Sequence, residues 1–247
     1  MEDEIQFTDI WTISDAELNN IKASLQKYST EHKLIDRLIK LYKVLPDSLI
    51  KDYPREKIPI LQMFWTCFRG FLISIQLILQ GHIPESYAIT SKSAETVAVA
   101  QKFNSYPDKI EVWIKNNKEE GQPFRRVLGR IFPINDKVLQ PEIFKVYELT
   151  SEHGRHPSFS STAIYSDFNK ISTESAVFFS FNELGDEINF RRNLNYTLFA
   201  YHKFLEAFSK IFYDYLTKEW IQELTNFDQA FRQHKETLKG EFEYETI

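Results

Sequence analysis

One apolar stretch, residues 58–79, constrains the fold more than any other part of the sequence. It is long enough for a helix of about six turns, and apolar side chains would lie on nearly every side of that helix. Because a helix that is apolar all round is a buried one, we expect the other helices to pack around it. Gly81 and Pro84 interrupt the stretch, and a second helix, Tyr87 to Phe103, is predicted to fold back on the first.

The same stretch is long enough to span a membrane, since about 20 apolar residues suffice. Arg69 stands at its middle, however, where an arginine costs about 2.5–3.5 kcal/mol on insertion scales. The chain begins with acidic residues, whereas a signal peptide begins with basic ones. We therefore expect a buried helix of a soluble protein and no membrane contact.

The cysteine count and the net charge bear on the cellular compartment and on the kinds of partner that the protein can bind. Cys67 is the only cysteine, so no internal disulfide is expected, and a reducing, cytoplasmic compartment is predicted. It lies in the most apolar segment, which favours a core residue over a reactive thiolate. The 30 basic and 35 acidic side chains give a net charge of −5, which argues against broad electrostatic binding of nucleic acid.

Upstream of the apolar stretch, the pattern predicts an irregular arm over residues 1–13 and then a long helix. Ser14 and Glu17 have the spacing of a capping box, which would start this helix. A weak point is expected near Ser29-Thr30, and Pro46 is expected to end the helix, because proline lacks the amide hydrogen and clashes with the preceding turn.

Downstream, apolar spacing of three and four residues predicts further helices. These are a short helix from Asp108, one over 124–131, one over 141–152, a long seam from about 186 to 215 and a final helix over 218–240. Residues 115–122 are predicted to be an exposed loop, 160–182 a small β-hairpin and 241–247 a frayed tail. The predicted fold is mainly α: one domain over residues 1–247, a multi-helix bundle whose core (14–217) surrounds a buried central helix pair.

The motifs of common catalytic sites are missing from the sequence. No Glu precedes a His by three residues, so the di-iron sites of ferritin-like bundles are not supported. There is no glycine-rich phosphate loop and no Gly-x-Ser-x-Gly elbow. His153 and His156 have ligand spacing, but Gly154 interrupts the helix between them, which favours a helix C-terminal cap over a metal site. No cofactor and no metal are expected.

Arg69 and Glu95 are the polar residues most in need of an explanation. Each lies about twelve residues from the turn near Gly81, so antiparallel packing would place them at similar heights. A buried arginine needs a partner, and this carboxylate is the natural one. Two interpretations follow: an ion pair that fixes the helix register, or an arginine that binds an anionic ligand.

The order of these features resembles a known family. An Arg-bearing apolar helix, a Gly turn and a Glu-bearing helix precede Tyr147-x-x-Thr150-Ser151, His156-Pro157 and a long helix. This order is similar to a family of bacterial helical proteins of unknown function, which are loosely compared with HEPN domains (higher eukaryotes and prokaryotes nucleotide-binding). The similarity covers roughly residues 55–217, although Thr150 stands where the family usually has Leu. It implies the helical scaffold and adds Tyr147 to Arg69 and Glu95 as a binding candidate.

Active HEPN ribonucleases carry an Arg-x4–6-His motif, and this chain lacks it: Arg192 and His202 have nine residues between them. The first hypothesis is therefore a non-catalytic helical module that binds a protein, a second copy of itself or a ligand. The alternative is a HEPN-like, metal-independent ribonuclease with nonstandard spacing. Its candidate residues, Arg155, His156, Arg192 and His202, would have to converge in one open cleft.

Overall fold

A computed structural model describes residues 10–49, 53–119, 140–154 and 187–239. Within these ranges the chain forms eight α-helices and two short 3₁₀ turns, and no strand. The helices are α1 (Ile10–Lys27), α2 (Ser29–Leu49), α3 (Ile58–Gln80), α4 (Ile83–Ser105), α5 (Asp108–Glu119), α6 (Pro141–Gly154), α7 (Glu187–Ile211) and α8 (Lys218–Leu238). The mainly helical prediction is confirmed. The expected hairpin over 160–182, the helix over 124–131 and the tail over 241–247 lie outside the described residues.

The start of the helical core differs from the prediction. Helix α1 begins at Ile10, so residues 10–13 are helical and Ser14 cannot cap the helix. The Glu17 carboxylate instead approaches Nε2 of His82 at 2.7 Å, beyond the end of α3. The capping-box prediction was wrong because the helix already extends upstream of Ser14, and the Glu17 carboxylate has a tertiary partner in His82.

The expected weak point of the first long helix is confirmed, whereas its expected end is not. The chain leaves regular helix at Tyr28, between α1 and α2, close to Ser29-Thr30. Helix α2 then continues past Pro46 to Leu49. A proline in the last turn removes only its own amide bond, and too few residues follow for the distortion to spread. Similarly, α5 extends to Glu119, so residues 115–119 of the expected loop are helical, and its remaining residues lie outside the described ranges.

The turn between α3 and α4 forms as predicted. Gly81 has φ 97°, a left-handed conformation that side chains disfavour, and it ends α3. The amide of Gly81 donates to the Ile78 carbonyl and that of His82 to the Leu77 carbonyl. These bonds satisfy carbonyls that the helix end would otherwise leave unpaired.

The most enclosed helices are α4 and α7, rather than the expected pair of α3 and α4. Every residue of α7 from 194 to 198 is buried. Helix α3 keeps one open face, on which Trp65, Arg69 and Leu72 are exposed. By length and composition alone the segment Arg55–Gln80 could cross a membrane; in the structure its other face packs against α4 and α7.

Hydroxyl groups connect these helices inside the core. The Tyr201 hydroxyl on α7 lies 3.0 Å from Ser74 Oγ on α3 and 2.9 Å from Ser93 Oγ on α4. Tyr42 donates to the Tyr201 carbonyl at 2.7 Å. Cys67 is fully buried nearby, and burial raises the pKa of its thiol, which confirms it as a core residue.

Helices α4 and α6 approach each other closely enough to require a glycine. A Cβ at Gly154 would lie 2.3 Å from the Ala88 backbone nitrogen and 2.6 Å from the Tyr87 carbonyl carbon. Both neighbouring atoms belong to the backbone of α4, so no side-chain rotation relieves the overlap. Gly154 therefore sets the distance between these helices as well as ending α6.

The variant Gly154→Ala tests this close approach. We expect a loss of about 1–3 kcal/mol in the free energy of unfolding, because the added methyl group forces the α4 backbone to move. Urea denaturation measures the change. The control is Glu152→Ala, an exposed position in the same turn, which should change stability by less than about 0.5 kcal/mol. A stabilised Gly154→Ala variant, as helix propensity alone predicts, would contradict the close packing.

Candidate functional site

A buried carboxylate connects α2, α7 and α8. Glu31 is only 1% exposed, and its Oε1 accepts hydrogen bonds from Nε of Arg191 at 2.5 Å and from Nε2 of His234 at 3.2 Å. A buried charge is stable only when it is paired and hydrogen-bonded, and these two donors meet that requirement. We call Glu31, Arg191, His234 and Asn195 the Glu31 cluster.

Asn195 settles which nitrogen of His234 carries the hydrogen. Its amide nitrogen donates to the Arg191 carbonyl at 2.9 Å, which leaves its Oδ1 as an acceptor. This oxygen lies 3.1 Å from Nε2 of His234. Since both neighbours of Nε2 are acceptors, Nε2 must be protonated and shares its hydrogen between Asn195 and Glu31.

The environment of Glu31 makes it a source of pH-dependent stability. Burial alone would raise its pKa, but hydrogen bonds from His234 and Arg191 outweigh burial and lower the pKa from 4.5 to about 2. Between these values the unfolded chain binds a proton that the folded chain does not. Glu31 therefore stabilises the fold fully above about pH 4.5, and this contribution is lost as the pH falls towards 2.

A pocket of ≈ 90 Å³ lies beside the Glu31 cluster, between α4, α6, α7 and α8. Its walls are mostly aromatic or aliphatic, with two basic side chains and one amide. The lining residues are Tyr87, Leu149, Arg192, Asn195, Tyr196, Phe199, Phe231 and Lys235. Arg192 and Lys235 each follow a member of the Glu31 cluster in sequence, and Asn195 belongs to both.

Two lysine side chains lie over the ring of Phe199, which lines the pocket. The ammonium groups of Lys235 and Lys203 lie 5.2 and 5.8 Å from the centroid of the Phe199 ring. Burial lowers the pKa of Lys235, and the charges of Lys203 and Lys239 lower it further, while the charge of Glu236 raises it. Lys203 and Lys239 are paired with Glu206 and Glu236, whereas Lys235 forms no ion pair with any carboxylate of the described residues. The repulsion at Lys235 is therefore only partly compensated.

The two tyrosines of the pocket are neutral over the physiological range. Burial raises the pKa of both Tyr87 and Tyr196, and the nearby charge of Arg192 offsets only part of the effect at Tyr87. The Tyr87 hydroxyl donates to Oδ1 of Asn193. The tyrosines thus contribute shape and apolar surface to the pocket, and they do not supply a phenolate base.

A second polar group, the His202 cluster, lies where α7 packs against α8. Nε2 of His202 is 3.4 Å from Oε1 of Glu206 and 4.0 Å from Oδ1 of Asp228. The ligand atoms of these three residues all lie within 4.8 Å of one another. Burial lowers the pKa of His202 to about 4, partly opposed by Glu206, so the imidazole is neutral at pH 7.

The candidates Arg69, Glu95 and Tyr147 lie apart from both sites. Arg69 is exposed on α3, so the expected buried Arg69–Glu95 ion pair is wrong; the helix side that carries Arg69 faces solvent. Glu95 is partly buried on α4. Tyr147, on α6, packs against the main core cluster and does not line the pocket.

Of the four ribonuclease candidates, two can be placed. Arg155 and His156 lie outside the described residues. Arg192 lines the pocket, whereas His202 is about 15 Å further along α7 and is 1% exposed. These two side chains therefore occupy different sites. His153 packs beside Tyr87, with ring centroids 6.2 Å apart.

Sequence reasoning missed Glu31, Lys235 and Asp228. A search for Glu-x-x-His could not find His202-x-x-x-Glu206, which has the reverse order and the i, i+4 spacing of neighbours on a helix. The spacing of this pair could have been recognised from the sequence alone. No sequence pattern marks Asp228 or Glu31 as site residues, since their partners lie on other helices.

Comparison of the chain with protein-family models, with curated proteins and with solved structures finds no match. The resemblance to the bacterial helical family and to HEPN domains stays a prediction from the sequence. The same holds for a protein partner or self-association, for which the exposed face of α3 with Trp65 and Leu72 is the surface to examine.

The variant Glu31→Gln tests the Glu31 cluster. We expect it to destabilise the fold by about 3 kcal/mol at pH 7, because Arg191 and His234 lose a buried anion. The difference from the parent chain should shrink as the pH falls from 4.5 towards 2, where Glu31 itself becomes protonated. Urea denaturation over this pH series measures both effects.

The matched control is Glu223→Gln, which breaks an exposed ion pair between the same two helices, α2 and α8. Arg37 Nη2 lies 2.9 Å from Glu223 Oε1, and the two side chains are 32% and 49% exposed. We expect a cost of at most about 1 kcal/mol from this variant. Equal losses from the two variants would show that Glu31 does not hold the helices together.

Proposed function

We propose that this protein is a non-catalytic helical module that binds a small organic anion in the pocket between α4, α6, α7 and α8. The observation that carries the proposal is the composition of the pocket: apolar walls beside two basic side chains, Arg192 and Lys235. Ligand sites are typically apolar clefts in which a few placed polar groups fix the orientation of the ligand.

The walls favour an apolar ligand body. Tyr196, Phe199 and Phe231 supply aromatic surface on two helices, and Leu149 adds aliphatic surface from α6. Burying apolar ligand area against them gains about 25 cal/mol per Å². An engineered cavity of about 150 Å³ holds a benzene molecule, so this pocket of ≈ 90 Å³ would enclose only part of an alkyl chain, and the remainder would extend out of the pocket.

The charges favour an anionic group on that ligand. Lys235 feels the repulsion of Lys203 and Lys239 and has no paired carboxylate of its own among the described residues. An anion bound beside Lys235 would offset this repulsion, and Arg192, which lines the same pocket, adds a second positive charge. In the partly buried pocket its attraction to the two cations would also be less screened than at an open surface. A short-chain carboxylate combines the two properties.

No described group supports catalysis on such a ligand. The phenols of Tyr87 and Tyr196 are protonated at neutral pH, and His202 lies at a different site. Asn195 is held by Arg191 and His234 and is suited to positioning. Binding is therefore the function that the pocket supports best.

Titration with hexanoate and with hexylamine tests the proposal, because the two ligands share the alkyl chain and differ in the sign of the charge. We expect hexanoate to bind at least tenfold more tightly, and its affinity to fall as salt is raised. Lys235→Gln and Arg192→Gln should each weaken hexanoate binding about three- to tenfold. Isothermal titration calorimetry or ligand-observed NMR measures the affinities.

The control variant is Lys210→Gln, which removes an exposed lysine near the end of α7, outside the pocket. It should bind hexanoate as the parent chain does. Equal binding of hexanoate and hexylamine would refute the anionic part of the proposal. A Lys235→Gln variant indistinguishable from Lys210→Gln would remove the pocket as the binding site.

A further inference from the structure

We propose that His202, Glu206 and Asp228 form a binding site for a first-row divalent metal ion, with Zn²⁺ as the representative ion. The site lies between α7 and α8, and it is separate from the anion pocket and independent of the proposed function. One imidazole and two carboxylates are ligands that zinc and its neighbours accept.

The first observation is the convergence of one atom from each residue. His202 and Glu206 are one turn apart on α7, and Asp228 faces them from α8. At metal–ligand distances of about 2.1 Å, tetrahedral ligands stand about 3.4 Å apart. The Nε2–Oε1 distance is already 3.4 Å, and the Nε2–Oδ1 distance of 4.0 Å needs only a small rotation of the Asp228 side chain.

The second, independent observation is the state of Nε2 of His202. The residue is 1% exposed, and among the described residues this nitrogen has no hydrogen-bond partner, although two carboxylate oxygens lie within 4.0 Å of it. A buried polar atom without a partner is costly, and native proteins rarely retain one without a reason. A metal ion at the centre of the cluster would satisfy this nitrogen.

Neighbouring cationic side chains keep the two carboxylates oriented as potential metal ligands. Oε2 of Glu206 accepts from Lys203 at 2.7 Å, and Oδ2 of Asp228 accepts from Arg232 at 2.8 Å. Each carboxylate thus has one oxygen bound by a cation on its outer side and the other oxygen turned towards His202. Such outer partners orient metal ligands and keep them ionised.

The apolar side of the site fixes the imidazole. The rings of Phe227 and Phe231 meet the His202 ring edge-on, with centroids 5.0 and 6.0 Å away. Glu206 and Asp228 remain 27% and 24% exposed, so an ion can enter from solvent and keep a water ligand. Three protein ligands with one open position is a common zinc arrangement.

The test uses the full, tag-free chain after treatment with a chelator. Titration with ZnCl₂ should show one equivalent bound, and Tm should rise by about 5–10 °C at a hundredfold excess over Kd. Nitrogen-15 NMR of the six histidine rings should show one imidazole, that of His202, changed by the metal. Mg²⁺ and Ca²⁺ should not compete, because they prefer sites made of oxygen ligands only.

The variants Glu206→Gln and Asp228→Asn keep side-chain shape and remove one ligand charge each. We expect each to lower Zn²⁺ affinity at least tenfold and the double variant to abolish the Tm rise. The matched control is Glu236→Gln, because Glu236 also pairs with a lysine three residues away but lies outside the cluster. It should bind Zn²⁺ as the parent chain does.

Three results would overturn the proposal. They are no saturable Zn²⁺ binding by the chelator-treated chain, binding that survives both carboxylate substitutions, and effective competition by Mg²⁺. None of these bears on hexanoate binding, which is measured with other variants. The two sites can therefore succeed or fail separately.

Discussion

The buried carboxylate of Glu31 is the interaction on which the arrangement of the pocket depends. It connects α2 with α7 through Arg191 and with α8 through His234. The residues that follow these two in the chain, Arg192 and Lys235, line the pocket. Asn195 completes the cluster and also lines the pocket. A shift of either helix would separate the charge from its donors, so the same ion pairs that stabilise the fold hold the basic side chains in place.

The interface of α7 and α8 carries both proposed sites, and Phe231 belongs to each. Phe231 lines the pocket, and its ring also contacts the imidazole of His202, with centroids 6.0 Å apart. Lys203 likewise lies over Phe199 in the pocket region and binds Glu206 in the His202 cluster. The two proposed sites thus share neighbouring residues, whereas the groups proposed to bind hexanoate and Zn²⁺ are different.

The burial of α4 shows why hydropathy alone predicted the wrong central helices of the bundle. Its buried surface includes Thr90 and Ser93, whose hydroxyls bond to carbonyls four residues earlier in the same helix at 2.9 and 3.0 Å. These bonds, together with contacts to Tyr201 and Ser74 on neighbouring helices, satisfy the hydroxyl groups, so the two residues can be buried. Apolar α3 was the expected centre, yet Trp65 and Leu72 on it are exposed, because burial depends on which neighbours surround a helix.

Sequence alone determined what depends on near neighbours in the chain: the helical class, the Gly81 turn, the break near Ser29 and the buried state of Cys67. These follow from periodicity and backbone chemistry within a few residues. The tertiary structure decided the partners of the charged residues. Glu31 meets donors 160 and 203 positions away, and Arg69, which was expected to be buried, faces solvent. Ion pairs and ligand sites join side chains from different helices, and no local pattern records which helices become neighbours.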